Sequence, residues 1–220
     1  MKQVDSDTYN VAWFKLADCI ARKEKERALG IFRLLAHSLD DAALVCQLYA
    51  DILRSFSDPQ ALEKYHEAAE LYRSRRQFLE AAAVYEHIAT IDPENVSFRL
   101  NMIELYQQLN IRSKVIEYVR QLVQLLLHKN DWKKAIEIVM EYETAGDDAY
   151  AAHLHELILF YMITIDEIMP ETVLIHAKKA IDAWSVCDDE KAIIALLSKL
   201  QALDEKLAQY AQEYWQSIKK

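Results

Sequence analysis

One stretch, residues 62–95, constrains the fold of this chain more than any other. Its sequence, LEKYHEAAELYRSRRQFLEAAAVYEHIATIDPEN, reads as two amphipathic helices with a tight turn between them and an Asp-Pro pair near the end. Pro93 cannot continue a helix, and it disfavours the helical conformation at Asp92. Because two such helices cannot bury their apolar faces alone, the stretch predicts copies of itself stacked on either side.

Small and large side chains alternate along both predicted helices. Ala68, Ala69 and the alanines at 81–83 are small enough to let two helix backbones approach each other. Aromatic side chains two helical turns apart can fill the grooves beside them, and these are Tyr65, Tyr72, Phe78 and Tyr85. This pattern resembles the tetratricopeptide repeat, a helical hairpin of about 34 residues whose signature alternates large and small positions.

The resemblance covers both helices of the stretch, with two departures. Ala69 replaces the glycine of the family pattern, and Ile88 replaces a second small residue in the second helix. Both larger side chains widen a helix contact that the family keeps close. The positions that match the family pattern are Tyr65, Ala68 and Tyr72 in the first helix, and Ala81, Tyr85 and Pro93 in and after the second.

Weaker copies of this pattern occur elsewhere in the chain. The segment DWKKA, from Asp131 to Ala135, repeats the helix opening QFLEA that begins at Gln77. The resemblance is strong over residues 62–145, weak over 8–60 and absent after 147. The phase of the repeat stays open, because the helix predicted to begin at Ser113 fits either as the second half of one unit or as the first half of the next.

Composition leaves little room for another fold class. Only two glycines and three prolines occur among 220 residues, and a β-protein or a dinucleotide-binding enzyme normally needs more glycine. We therefore predict an all-α fold, an α-solenoid of antiparallel tetratricopeptide-like helical hairpins with about eleven helices. The predicted domains are a repeat array over residues 1–187, clearest over 62–145, and a long C-terminal helix over 188–220 that packs on the array.

The two glycines carry separate expectations. Gly30 falls inside a predicted helix, where glycine costs up to ~1 kcal/mol relative to alanine, so we expect a close helix crossing there. Gly146 follows a predicted helix and is expected to be its C′ residue.

Charge and hydropathy exclude several classes of partner. The formal charge of −9 argues against nucleic acid, whose binding proteins carry a basic stripe. No apolar run approaches the ~20 residues of a membrane span, and residues 1–10 lack a signal-peptide pattern. These features predict a cytoplasmic protein without membrane insertion. Cys19, Cys46 and Cys187 are far apart in the sequence, and we expect buried free thiols in a reducing compartment.

Two histidines on one predicted helix, His153 and His155, are the strongest candidates for chemistry. Metal-binding helices place two histidines four residues apart on one face, whereas a spacing of two points them about 200° apart. Leu159 occupies the position where the second ligand would be needed. We therefore predict no metal, no cofactor and no catalytic residue, and we interpret His155 as a semi-buried packing residue.

Stacked hairpins create a concave groove, and the resemblance implies that the first helix of each hairpin lines it. Several of the side chains placed there are acidic. An acidic groove favours a protein or peptide with Lys or Arg, mainly through association rate and partner selection. An ordinary solvated helix face is the alternative interpretation. The predicted groove residues are Glu63, His66, Glu67, Glu70, Arg73, Asn101, Glu104 and Gln108.

One subclass of the family clamps the C-terminal carboxylate of heat-shock chaperones with Lys and Asn. His66 and Glu70 stand where that subclass has Lys and Asn, and only Asn101 fits, so clamp function is not expected. We predict instead a non-catalytic adaptor or scaffold that binds a protein segment in the groove.

The last predicted helix carries a second pattern. Apolar residues alternate by three and four, as in the seam of a coiled coil. This favours either packing on the last repeat or a homodimer, and the alternative function is a structural subunit that oligomerises through this helix. The candidate seam residues are Leu196, Leu200, Leu203, Leu207, Tyr210 and Tyr214.

Overall fold

The computed structural model describes residues 6–165 and 170–219, with side chains for 11–165 and 171–219, so residues 1–5, 166–169 and 220 of the predicted domains lie outside it. All regular structure in the described ranges is helical, which confirms the all-α prediction. No helix in these ranges is long and apolar enough to cross a membrane. The helices are α1 (Ser6–Ala21), α2 (Lys25–Ala36), α3 (Ala42–Ser55), α4 (Gln60–Ser74), α5 (Phe78–Ile91), α6 (Val96–Gln108), α7 (Arg112–His128), α8 (Trp132–Tyr142), α9 (Asp148–Ile163), α10 (Pro170–Val186), α11 (Glu190–Leu203) and α12 (Glu205–Ile218), with a 3-10 turn at Glu143–Ala145.

The chain forms two compact units, Met1–Phe98 and Arg99–Lys220. The first unit contains α1 to α5, the second contains α7 to α12, and the boundary falls within α6. The predicted division at residue 187 stays a prediction.

The resemblance to tetratricopeptide repeats is visible in the core of the first unit. Helices α3 and α4 pack on each other, and so do α4 and α5. The alanines expected to let helices approach are buried except Ala83, which is exposed, and the aromatic positions of the pattern are buried except Phe78, which is half-buried. The buried positions are Tyr65, Ala68, Ala69, Tyr72, Ala81, Tyr85 and Ile88.

Within residues 6–165 and 170–219, six tight turns join consecutive helices without any glycine. At each turn one residue adopts the left-handed conformation, with φ between 54° and 63°. At Arg76, for example, the backbone N–H bonds Arg73 at 2.9 Å and the next N–H, from Gln77, bonds Tyr72 at 3.0 Å. This is the Schellman arrangement, which satisfies the last carbonyls of a helix. The six left-handed residues are Lys23, Ser57, Arg76, Asn110, Asn130 and Asp188.

Helices two apart in chain order also contact each other within each unit. In the first unit, Arg54 of α3 lies 3.0 Å from the His87 ring nitrogen of α5, 33 residues later. In the second, the Tyr214 hydroxyl of α12 donates to Asp182 of α10 across 32 residues at 2.7 Å. These separations are close to the repeat length of about 34 residues, as expected when equivalent helices of successive hairpins lie side by side.

The prediction of one long C-terminal helix is wrong, because the helix is interrupted at Asp204. This residue has φ −150° and ψ 103°, and its side chain accepts a 3.0 Å hydrogen bond from the Leu207 backbone N–H. An Asp side chain competes with helical hydrogen bonding in this way and favours a cap over a helix interior. The result is two helices, α11 and α12, which pack on each other.

Both glycine expectations are also wrong. Gly30 is exposed, and a Cβ added there would have nothing within 4 Å, so there is no close helix crossing. Gly146 has φ −104° and ψ −157°, which is extended rather than left-handed. Glycine is needed at this position for a different reason, because a Cβ there would overlap the ring of Tyr150.

The three cysteines differ in environment. All are unpaired, with Cys19 buried, Cys46 half-buried and Cys187 exposed. The prediction of buried thiols is therefore wrong for Cys187.

Candidate protein-binding surface

Helix α4 presents two different faces. Tyr65, Ala69 and Tyr72 point into the first unit, and their burial leaves the opposite side of the helix to solvent. We define the acidic face of α4 as the exposed residues Glu63, Glu67 and Glu70.

The acidic face is only partly neutralised by neighbouring cations. Lys64 Nζ lies 2.5 Å from the Glu67 carboxylate, and Arg73 Nη1 lies 3.3 Å from that of Glu70. The Lys64 hydrogen bond holds the pKa of Glu67 below its usual range. Three carboxylates against two cations leave one negative charge in excess. Because both pairs join residues of one helix and lie at the surface, each contributes no more than ~1 kcal/mol.

Tyrosine hydroxyls join α4 to the neighbouring helices. Tyr85 of α5 donates to Glu70 at 2.9 Å, Tyr72 donates to Gln47 of α3 at 3.0 Å, and Tyr65 donates to Asp51 of α3. Burial, and then these hydrogen bonds to acceptors, raise the pKa of both Tyr65 and Tyr85 to about 12. The sequence predicts that the rings fill grooves but misses these bonds. The signal was the choice of Tyr over Phe, because a buried hydroxyl usually has a partner.

The other predicted groove residues have mixed environments. His66 is half-buried with its ring 6.2 Å from that of Tyr85 in an edge-on arrangement, and Arg73 is half-buried. In the second unit Glu104 and Gln108 are exposed on α6, whereas Asn101 is half-buried. The structure thus collects the five predicted residues of α4 on one helix of the first unit, and the three of α6 belong to the second.

The candidate C-terminal seam does not form one stripe. Leu196, Leu200 and Leu207 are buried within the second unit, whereas Leu203 and Tyr210 are 57% and 59% exposed. Tyr214 contacts α10 of its own chain. Its hydroxyl donates a hydrogen bond to Asp182, and Lys178 Nζ lies 5.0 Å from the centroid of its ring. Association of two copies through the C-terminal helix stays a prediction.

The two histidines considered for chemistry point to different surroundings. His153 is exposed, with its ring edge-on to Trp184 at 4.8 Å. His155 is fully buried rather than semi-buried, and it bonds His176 of α10 through Nδ1 at 2.9 Å and Glu143 through Nε2 at 2.8 Å. In the described parts of the chain, no three His, Cys, Asp or Glu side chains are grouped to hold a metal ion. Sequence spacing could not reveal His176 or Glu143, which reach His155 only through folding.

Antiparallel helical hairpins, buried signature positions and contacts at one repeat length show that the chain has a tetratricopeptide-like fold of helical hairpins, as the resemblance of residues 62–95 predicts. No protein-family model matches the chain. It is similar to the N-terminal acetyltransferase A complex auxiliary subunit NAA15 of Arabidopsis thaliana, with 27% identity over 168 residues. The matched region is 64% of this chain but only 18% of that relative.

Similar solved structures include several repeat proteins. A putative kinesin light chain of Podosopora anserina with nearly identical TPR-like repeats has 17% identity and a TM-score of 0.40, covering 94% of this chain and 98% of that one. YrrB, a TPR protein with an unusual peptide-binding site, has 13% identity and a TM-score of 0.26, covering 68% and 91%. Naa15/Naa10 bound to HypK-THB has 15% identity and a TM-score of 0.25, covering 94% and 39%.

Proposed function

We propose that this chain is a non-catalytic adaptor or scaffold whose acidic face of α4 binds a protein or peptide segment containing Lys or Arg. The observation that carries the proposal is the arrangement of Glu63, Glu67 and Glu70 as exposed carboxylates on a helix whose opposite face is fully packed.

The backbone of the acidic face is held in place by packing, whereas the cations that pair with its carboxylates can be replaced by those of a ligand. Tyr85 holds Glu70 from α5, and the buried tyrosines of α4 hold the helix against α3. The cations beside Glu67 and Glu70 are Lys64 and Arg73 of the same helix, and each forms only a weak ion pair at the surface. A ligand's Lys or Arg can therefore replace them at low cost, while the helix keeps its position.

The relative's name is consistent with a role in assembly. NAA15 is named as an auxiliary subunit of an acetyltransferase complex. A subunit of that kind acts through contacts with other proteins, and we extend this role to the present chain.

The proposal is tested by fluorescence anisotropy with labelled synthetic peptides, matched in length, that are either Lys/Arg-rich or Glu/Asp-rich. The test variant combines Glu63→Gln, Glu67→Gln and Glu70→Gln, which removes charge but keeps side-chain size and an acceptor for Tyr85. The control variant combines Glu80→Gln, Glu86→Gln and Glu94→Gln, which removes the same charge at other exposed positions of the first unit.

We expect the basic peptides to bind and the acidic peptides not to bind. The test variant should bind about tenfold more weakly than wild type, a loss of ~1.4 kcal/mol, whereas the control should change little. Equal weakening in both variants would show that only net charge matters, and it would contradict recognition by the acidic face of α4.

A further inference from the structure

Two histidine rings meet in the interior of the second unit. His155 of α9 and His176 of α10 are 2% and 3% exposed, and their Nδ1 atoms lie 2.9 Å apart. His155 Nε2 lies 2.8 Å from the carboxylate of Glu143 in the 3-10 turn. The contact therefore joins three consecutive parts of the chain through two imidazole rings.

The partners determine which nitrogen carries each proton. Lys179 and His155 hold the pKa of Glu143 below its usual range despite its burial, so the carboxylate only accepts, and His155 Nε2–H must donate to it. A neutral His155 then has a bare Nδ1, which accepts from His176 Nδ1–H. The observed contact is consistent with two neutral rings and one proton between them.

A doubly protonated pair is incompatible with this contact. Each imidazolium carries a hydrogen on both nitrogens, so two Nδ1–H groups would face each other at 2.9 Å with no acceptor between them. Two cations would also be buried together, with Lys179 Nζ already 3.0 Å from Glu143, the nearby carboxylate.

We propose that the His155–His176 contact is a pH-operated latch, which holds α9 on α10 while both rings are neutral and releases them when both are protonated. The charged and titratable groups facing the pair are Glu143 from the 3-10 turn, Lys179 from α10 and each imidazole on the other. Helix α8 contributes Met140, whose sulfur accepts from Lys179 at 3.2 Å.

The direction of the pH dependence follows from burial. Burial lowers the pKa of both rings, that of His176 to about 4, against about 6.5 for an imidazole in the unfolded chain. The unfolded or opened state therefore binds more protons in this range. The stability supplied by the neutral pair is complete above pH ~6.5 and is lost as the pH falls toward about 4.

The latch is tested by hydrogen exchange of the full chain near pH 7 and near pH 5, corrected for the intrinsic exchange rate. We expect protection in α9 and α10 of wild type to fall about tenfold or more at the lower pH, while α4 and α5 keep theirs. His176→Gln can still donate to His155 but cannot be protonated, so it should lose the larger part of the pH response and keep only the part that belongs to His155. His153→Gln removes an exposed histidine from the same helix and should keep it.

Unchanged protection of α9 and α10 in wild type between the two pH values would overturn the proposal, as would an equal pH response in His176→Gln. If His176→Gln does not fold, an NMR titration of the wild-type histidines decides the matter. The latch requires two rings that titrate below the ordinary range together with loss of α9 and α10 amide signals. Titration of every ring near pH 6.5 with those signals intact would contradict it.

Discussion

The hydroxyl group of Tyr85, on α5, donates a 2.9 Å hydrogen bond to the carboxylate of Glu70 on α4. One end of this bond belongs to a buried ring of the helix–helix core, and the other belongs to the exposed acidic face. This atom pair thus joins the packed core to the proposed recognition surface.

Removal of the Tyr85 hydroxyl should weaken the attachment of Glu70 to α5 without leaving a cavity in the core. Tyr85→Phe keeps the buried ring and deletes one hydrogen bond to a charged acceptor, so we expect a loss of about 1–2 kcal/mol in the free energy of unfolding, measured by urea titration. Glu70→Gln keeps an acceptor oxygen and should cost less than Tyr85→Phe. A Tyr85→Phe protein as stable as wild type would show that the bond contributes nothing to packing.

The two glycines should respond to alanine in opposite directions. Gly30→Ala places a methyl group in open space on an exposed helix position, and it should raise the unfolding free energy by up to ~1 kcal/mol. Gly146→Ala forces its Cβ into the Tyr150 ring and should lower stability. Thermal unfolding of both variants checks the pair, and a destabilised Gly30→Ala protein would contradict the open environment described for α2.

The turn between α4 and α5 stores backbone strain at Arg76, which has φ 61°. Arg76→Gly removes the Cβ that makes this conformation costly, and it should stabilise the chain by about 0.5–1 kcal/mol. Asn130 is a matched comparison because its φ of 63° is nearly the same. It differs from Arg76 in that its side chain accepts a hydrogen bond from the Tyr161 hydroxyl, which glycine would remove. Asn130→Gly should therefore gain less or lose stability, as read from urea midpoints. A gain at Asn130 larger than that at Arg76 would count against this account of the turns.

Asp204 should behave as a helix cap. Asp204→Ala removes the acceptor for the Leu207 N–H and should cost about 1 kcal/mol of unfolding free energy, measured by urea titration. In one continuous helix the same change would favour helix and raise stability. A stabilised Asp204→Ala protein would therefore restore the single-helix prediction.

Local chemistry made much of the fold predictable. The alternation of Tyr65, Ala68 and Tyr72 reports helix packing directly, because the same positions are buried in the folded unit. Helix breaks were less visible, since Asp204 sits among strong helix formers and only its side-chain bond reveals the cap. The left-handed turn residues of the described ranges were harder to predict because none of them is glycine, although Asn110, Asn130 and Asp188 are of types that adopt this conformation more readily.

The candidate site was predictable only in part. The exposed carboxylates of α4 follow from helical periodicity once the buried face is known. Their cation partners also lie within one helix, at a separation of three residues. By contrast, the contact of His155 with His176 spans 21 residues and depends on how α9 packs on α10. No spacing rule within one helix encodes such a pair.

The most direct test of the central claim is the map of backbone amide shifts in ¹H–¹⁵N spectra as a Lys/Arg-rich synthetic peptide is added to the full chain. Recognition by the acidic face of α4 predicts that the largest shifts fall within Gln60–Ser74, and that they shrink as salt screens the charges. Shifts confined to residues 99–220, or none at peptide concentrations that saturate the anisotropy signal, would contradict it.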